Sequence, residues 1–271
     1  MRLVVKVGTS TLTHPTGCLN IRRIEAFCKV LSDLKNAGEE VIVVSSGAVG
    51  MGVGKLNLVG RPRDTVGKQA AAAVGQCELM YTYDKLFSEY NRTVAQILLT
   101  AEDFRHPTRH ENFTNTMERL LSLGVIPIIN ENDTVATDEI EIGDNDTLAA
   151  MVAESAHADL LVLMSDIDGL YTVDPHRDPD AKLISEVRDI DAGILALGGG
   201  SNSTQGTGGM ATKLTAAKIA TSAGCDMIIC NGARPDFLYA IADGESVGTR
   251  FFAKANDACC KAGEDELYDN T

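Results

Sequence analysis

Residues 3–10 read LVVKVGTS, a short apolar run followed by glycine and two hydroxyl residues, with a lysine inside the run. Further short runs rich in β-branched residues occupy 41–44, 94–99, 125–129, 160–164 and 227–230. Between them lie segments such as RRIEAFCKVLSDLKNAG and FTNTMERLLSLG, in which apolar residues recur at helical spacing before a glycine. Apolar strands that alternate with helices predict an α/β fold, with a parallel sheet buried on both faces.

The segments that directly follow the predicted strands are polar or glycine-rich. In chain order they read GTS, SSGAVGMG, TAED, NEND, SDIDG and NGARP. Because the carboxyl ends of parallel strands meet at one edge, and open α/β sheets bind ligands there, these segments predict one ligand-binding edge.

Composition narrows the classes of partner. The chain has 271 residues, 44% of them hydrophobic, which suffices for one large domain or two lobes that share a sheet. Its net charge is −14 and it has no run of Lys or Arg, which argues against nucleic-acid and anionic-membrane partners. An anionic small substrate would need local donors and a metal to offset that charge.

The cysteines and the N-terminus indicate a cytoplasmic protein. The seven cysteines are odd in number and irregularly spaced, and they form no C-x-x-C motif, which favours a reduced chain over a disulfide framework or a zinc site. The N-terminal apolar run is too short for a signal peptide, and no apolar stretch approaches the length of a membrane span.

Glycine follows soon after each of the first two predicted strands, and the first strand also contains a lysine. Lys6 in a buried strand is costly unless its charge is paired, although a lysine at a strand end can also extend its ammonium group into water. The Gly8-Thr9-Ser10 that follows offers backbone N–H groups suited to phosphate. The SSGAVGMGVG segment could hold a carboxylate or phosphate on its amides, or could be an ordinary strand-to-helix turn.

A second polar group comprises Asn130, Asp133, Asp144, Asn145 and Asp146. Helix N-capping explains one or two of these residues but not the whole set. The spaced ligands and terminal Glu of an EF-hand are missing. The group suits recognition of an α-amino group.

The segment GTGGMATK at 206–213 precedes an amphipathic helix that ends near Gly224, and it differs from a Walker loop, in which Lys directly follows Gly. Its glycines would let the backbone approach a polyphosphate, next to the positive helix end and Lys213. A mobile loop with a solvated lysine is the alternative. Ser165 and Asp166 follow the fifth strand at the same edge, where they could contact a nucleotide.

Several of these strings, taken together and in order, resemble the amino acid kinase family. They are VVKVGTS, SSGAVG, INENDTVAT, GDNDTLAA, SDIDGLYTVDP, GTGGMATKLTAAKIA and SVGTRF, and they extend from residue 3 to about residue 252. The resemblance implies a three-layer αβα sandwich around a mainly parallel sheet. The strings are most similar to those of the members that phosphorylate the γ-carboxylate of L-glutamate with ATP and Mg²⁺.

The resemblance also implies roles for individual residues. Lys6 and Lys213 would neutralise the transferring phosphoryl group, and Asp146 would hold both lysines. Glutamate would be contacted by Ser46, Asp133 and Asn145, with Gly47, Asn130 and Asp144 close by. The nucleotide would be bound by Lys6, Gly8, Thr9, Ser165, Asp166, Thr207, Gly208, Gly209, Met210, Ala211, Thr212 and Lys213. No residue is assigned directly to a metal.

The same resemblance implies an organisation and a regulation. We expect one kinase domain at 1–255, with an amino-acid lobe to about 158 and a nucleotide lobe from about 159, and a disordered acidic tail at 256–271. Many bacterial relatives carry a PUA domain after the kinase, and we expect this chain to lack one. Feedback inhibition by proline, with a loop at 55–76 as its candidate determinant, and a homo-oligomer (dimer or tetramer) are also expected.

Three other functions compete with this interpretation. A kinase of the same fold could act on acetylglutamate, aspartate, carbamate or UMP, although GDND with INEND favours a free amino acid. A non-catalytic sensor would not need two lysines and Asp146. A dehydrogenase is disfavoured because no G-x-G-x-x-G follows the first strand.

Overall fold

A computed structural model describes residues 1–14, 16, 18–136, 145–175, 177–200 and 209–254. Within these ranges, eight strands form a single sheet in the order β3-β4-β2-β1-β5-β7-β8-β6. The strands are β1 (Arg2–Val7), β2 (Glu40–Ser45), β3 (Val94–Leu99), β4 (Ile126–Glu131), β5 (Leu160–Ser165), β6 (Glu186–Val187), β7 (Asp226–Asn231) and β8 (Thr249–Phe251).

Most of the sheet is parallel. β1 lies between β2 and β5 and pairs parallel with both, and the parallel pairing continues outward to β3 on one side and β7 on the other. β8 is antiparallel to β7 and pairs parallel with β6. The six predicted strands are confirmed to within two residues at each end, whereas β6 and β8 were not predicted because they are too short for a recognisable pattern.

Helices cover both faces of the sheet. They are α1 (Thr9–Leu12), α2 (Ile21–Asn36), α3 (Ala48–Lys55), α4 (Thr65–Ser88), α5 (Ala101–Arg105), α6 (Pro107–Ser122), α7 (Asn145–Ser155), α8 (Ala192–Ala196), α9 (Met210–Ser222) and α10 (Phe237–Ala242), with a 3₁₀ helix at Leu197–Gly200. The region 55–76, expected to be a loop, is partly helical. Helix α3 extends to residue 55 and α4 begins at residue 65, so only residues 56–64 connect the two helices.

Side chains of β1 alternate between two hydrophobic cores. Val4 packs in the core that contains Phe113 of α6 and Leu214 of α9. The side chains at positions 3, 5 and 7 pack in the opposite core, which contains Phe27 of α2. This period of two, with both faces buried, confirms the three-layer αβα sandwich.

Helices α3 and α4 pack at a distance that only glycine permits. A Cβ added to Gly52 would lie 1.8 Å from the carbonyl oxygen of Ala71, and one added to Gly75 would lie 1.8 Å from that of Ala48. Because α3 starts directly after β2, this contact places the middle of α4 beside the carboxyl end of that strand.

The sheet is continuous across the boundary expected near residue 158, since β1 pairs with β5. The division into two lobes stays a prediction, and residues 255–271, which include the expected acidic tail, lie outside the described residues. None of the helices in the described ranges has the length and apolar character needed to cross a bilayer.

Candidate active site

The carboxyl ends of five parallel strands bring the predicted site residues to one edge of the sheet. β1 is followed by Gly8 and α1, β2 by Ser46 and α3, and β4 by the turn that contains Asp133. β5 ends at Ser165 and β7 ends at Asn231. The polar segments predicted to share an edge therefore do so.

Three charged side chains from distant parts of the chain meet in the interior beneath this edge. Lys6 on β1 places its Nζ 2.5 Å from Oδ1 of Asp146, and Lys213 on α9 places its Nζ 2.9 Å from Oδ2 of the same carboxylate. The Asp146 side chain is fully buried, and those of Lys6 and Lys213 are 11% and 7% exposed. This lysine–aspartate cluster is the arrangement expected from the sequence.

Local structure explains how the cluster forms. Asp146 lies in the first turn of α7 and Lys213 in the first turn of α9, so both project from helix starts toward β1. Thr212 donates a hydrogen bond to the carbonyl oxygen of Gly209 at 2.7 Å and a longer one to Asp146 at 3.4 Å. The N-terminus of α9 is thereby tied to the carboxylate.

The electrostatics of the cluster favour an ionised Asp146. Burial alone raises the pKa of this carboxyl, but the charges of Lys6 and Lys213 and their hydrogen bonds outweigh burial, so the pKa lies below its ordinary value. The carboxylate can thus hold two ammonium groups close to the edge where ligands of such sheets bind.

A network of side-chain amides lies beside the cluster, at the ends of β2 and β4. Nδ2 of Asn145 is 2.8 Å from Oγ of Ser46, 3.1 Å from the carbonyl oxygen of Ser45 and 3.0 Å from Oδ1 of Asn130. Asn130 in turn donates from Nδ2 to Oε1 of Gln76 at 2.8 Å. The structure thus brings together three of the residues predicted for the amino acid.

The backbone at Ser46 and Gly47 explains why glycine follows the serine. Gly47 is the N-cap of α3 and has φ of +108°, a left-handed conformation in which a residue with a side chain would be strained. The Ser46 amide donates to the carbonyl oxygen of Val7 at 3.0 Å, which joins the ends of β2 and β1. Asp133 lies half-buried in the turn after β4, and Asp144 lies outside the described residues.

The residues predicted for the nucleotide are placed around β1, β5 and α9. Gly8 is the N-cap of α1, and a Cβ there would be 3.7 Å from Nζ of Lys6. Ser165 is buried at the end of β5 and donates to the exposed Asp166 at 3.1 Å. Gly209 is the N-cap of α9, whose first turn contains Met210, Ala211 and Thr212, and Thr207 and Gly208 lie outside the described residues.

Gln76 is the site residue that the sequence did not single out. It is buried on α4, 54 positions before Asn130, and no motif marks it. The neighbouring Gly75 is the sequence feature that could have drawn attention to Gln76, because glycine inside a helix often marks a close contact.

Comparisons with known proteins agree with the fold. The sequence matches the amino acid kinase family over residues 1–231. Among solved structures, carbamate kinase from Giardia lamblia bound to AMP-PNP superposes with a TM-score of 0.66 at 16% identity, covering 93% of this chain and 98% of that one. The product complex of T. acidophilum isopentenyl phosphate kinase gives a TM-score of 0.64 at 21% identity, covering 93% of this chain and all of that one. The chain belongs to the amino acid kinase family.

Two curated relatives are similar over almost their whole length. Glutamate 5-kinase of Clostridium perfringens is 50% identical over 260 residues, which cover 94% of this chain and 97% of the relative. Glutamate 5-kinase of Clostridium tetani is 55% identical over 251 residues, covering 93% of this chain and 94% of the relative.

Proposed function

We propose that this chain is a glutamate 5-kinase, which transfers the γ-phosphoryl group of ATP to the γ-carboxylate of L-glutamate. The products would be ADP and L-glutamyl 5-phosphate, in the first step of proline biosynthesis. The observation that carries the reaction type is the buried lysine–aspartate cluster beside the amide network. The choice of acceptor rests on the relatives of that name, at 50% and 55% identity.

The chemistry needs positioning and charge stabilisation more than a base. A carboxylate oxygen of glutamate attacks the γ-phosphorus in line. The bond between the γ-phosphorus and the oxygen that bridges it to the β-phosphorus breaks, and the electron pair of that bond stays on the oxygen of ADP. The attacking carboxylate is already ionised at neutral pH, so no side chain has to remove a proton. Lys6 and Lys213 neutralise charge on the transferring group, and Asp146 holds both ammonium groups in place.

Mg²⁺ fits this site as a companion of the nucleotide. The described ranges contain no group of three His, Cys, Asp or Glu side chains that could hold a metal, and both oxygens of Asp146 face lysines. Mg²⁺ usually keeps several waters and binds substrate phosphates with one or two carboxylates. The exposed carboxylate of Asp166 at the end of β5 suits that role, and the ion would further neutralise the phosphates.

The two substrates would occupy neighbouring parts of the edge. Glutamate would contact Ser46, Asp133 and Asn145, near Gly47, Asn130 and Asp144. ATP would lie along the start of α9 and the end of β5, in the nucleotide lobe that follows about residue 158, and would also contact Gly8 and Thr9 of the amino-acid lobe that precedes it.

Inhibition by proline, a homo-oligomeric state and a cytoplasmic location belong to the same proposal. With α4 helical from residue 65, the connection at 56–64 is the part of the expected inhibitor region that keeps a loop conformation. Its exposed Leu56, Leu58 and Val59 are available for contacts.

Glutamate-dependent release of ADP, measured with Mg²⁺ with and without proline, tests the proposal. Aspartate, N-acetylglutamate, carbamate and UMP serve as competing acceptors, and hydroxylamine traps the acyl phosphate. We expect ADP release and hydroxamate only with glutamate. Turnover with another acceptor at a higher kcat/KM would assign a different kinase, and binding of both ligands without turnover would indicate a sensor.

A further inference from the structure

Gln76 completes a hydrogen-bonded relay that leads to the proposed glutamate site. Its Oε1 accepts from Nδ2 of Asn130 at 2.8 Å, and Oδ1 of Asn130 accepts from Nδ2 of Asn145 at 3.0 Å. Asn145 then reaches Oγ of Ser46 at 2.8 Å. Four residues from α4, β4, α7 and the end of β2 are therefore linked in series.

Backbone groups determine the direction of this relay. The amide N–H of Glu131 donates to Oδ1 of Asn130 at 2.9 Å, so the oxygen of that side chain must face Glu131 and its NH₂ group must face Gln76. At the other end, the carbonyl oxygen of Ser45 requires the NH₂ group of Asn145. Reversing Asn130 would set donor against donor on one side and acceptor against acceptor at Gln76.

Packing alone does not account for a polar side chain at position 76. Gln76 is 8% exposed, and its Nε2 is buried with no hydrogen-bond partner among the described residues. A buried donor without a partner is destabilising, and an apolar side chain of similar shape would avoid that penalty. A glutamine at this position therefore has a use other than packing, and the contact it makes is to Asn130.

We propose that Gln76 is a positioning residue for the amino-acid substrate, which acts through Asn130 to hold the amide of Asn145 in its binding orientation. The inference rests on the proposed function, because it takes Asn145 and Ser46 as glutamate contacts. The NH₂ group of Asn145 has two hydrogens, and three acceptors lie within reach of it, on Asn130, Ser46 and Ser45. A disturbance at Asn130 therefore shifts the hydrogen bonds of Asn145 toward Ser46 and Ser45. The consequence is confined to the amino-acid side of the site.

Steady-state kinetics of Gln76→Met test this role, with the exposed Gln96→Met as the matched control. We expect the KM for glutamate to rise about fivefold to tenfold, the effect of losing one network hydrogen bond, while the KM for ATP stays within about twofold. The melting temperature should stay within about 4 °C of the wild type, because one buried group without a partner replaces another. An unchanged KM for glutamate, or equal rises for both substrates, would overturn the proposal.

A double-mutant cycle separates positioning from general damage. In an Asn145→Ala background the relay has lost its end, so Gln76→Met should change kcat/KM for glutamate less than about twofold further. Full additivity of the two substitutions would contradict action through Asn145.

Gln76→Leu replaces the methionine variant if the latter does not fold, because it also lacks an acceptor for Asn130, and the KM for glutamate should rise to a similar extent. Gln76→Glu keeps the size of the side chain and an oxygen that can accept from Asn130, so its KM for glutamate should lie closer to the wild-type value than that of the apolar variants. A Gln76→Glu variant with a KM as high as that of the apolar variants would reject action through Asn130. Wild-type protein without glutamate-dependent turnover would reject the proposed function instead, which distinguishes the two failures.

Discussion

At the scale of single residues, Asp146 connects parts of the chain that lie 140 and 67 positions away, at Lys6 and Lys213. A buried ion pair is weak evidence for stability, because removing charges from water costs about as much as their attraction returns. In the function that we propose, the cluster serves catalysis, since two ammonium groups held near a ligand-binding edge suit the oxygens of a phosphoryl group.

Replacing Lys213 by alanine should reduce kcat on the order of a hundredfold or more, the size of effect seen when an electrostatic donor to a transition state is removed. Lys218→Ala, an exposed lysine on the same helix, is the control and should leave kcat nearly unchanged. Initial rates at saturating glutamate and MgATP give the comparison. Near-normal turnover of Lys213→Ala would refute the assignment.

Asp146→Asn should destabilise the protein by roughly 3–5 kcal/mol, because it leaves two buried ammonium groups without their shared carboxylate. The exposed Asp84→Asn serves as the control. Urea unfolding at neutral pH measures the difference, and a loss below about 1 kcal/mol, no more than that of an ordinary surface pair, would contradict it.

Acid should remove the stabilisation that the ionised carboxylate of Asp146 provides. The pKa of Asp146 is lowered in the folded state from the ordinary value of 3.8, so its ionised form stabilises the fold at pH values above 3.8. The contribution falls as the pH drops below 3.8 and toward the lower folded-state pKa. The difference in unfolding free energy between wild type and Asp146→Asn should therefore be constant from about pH 7 to 5 and shrink toward pH 3. A difference that grows on acidification would show the opposite sign of pKa shift.

At the scale of elements, the closely packed pair of α3 and α4 places the amide network. Gly52 and Gly75 let the two helices approach until backbone atoms touch, and the residue after Gly75 reaches Asn130. Gly47, which follows Ser46, is the N-cap of α3, so the same contact supports the end of β2.

Gly75→Ala should be strongly disruptive, because its Cβ would lie 1.8 Å from the backbone oxygen of Ala48 and only movement of a helix could relieve the overlap. We expect a loss of about 2 kcal/mol or more, together with a raised KM for glutamate. Gly199→Ala, where a Cβ would meet nothing within 4 Å, is the control. Thermal unfolding and kinetics measure both effects, and a Gly75→Ala variant as stable as the control would argue against the close packing.

At the scale of the whole molecule, the sheet joins the two proposed lobes. β1 hydrogen-bonds to β2 on one side and to β5 on the other, so the strand that carries Lys6 belongs to both halves. Two lobes built on one continuous sheet have no separate cores to unfold independently, since both hydrophobic clusters include strands from before and after residue 158.

Calorimetry should therefore show one cooperative unfolding transition for the described domain. A non-hydrolysable ATP analogue, which would bind the nucleotide lobe, should raise the melting temperature of the entire transition by mass action. Glutamate added alone should raise the same transition. Two separate transitions, only one of which responds to nucleotide, would show that the lobes unfold independently.

The sequence by itself determined the class of fold, the six long strands and the polar residues at their carboxyl ends, because periodicity and turn residues are local properties. It also indicated Lys6, Asp146 and Lys213, through motifs that resemble those of a known family. Tertiary structure alone decided how β1 is flanked, where β6 and β8 pair, and that α4 begins at residue 65. It alone brought Gln76 into contact with Asn130, which lies 54 residues away in the chain. Such contacts depend on how closely two helices pack and on which amide faces a backbone N–H group, and neither leaves a repeating pattern in the chain.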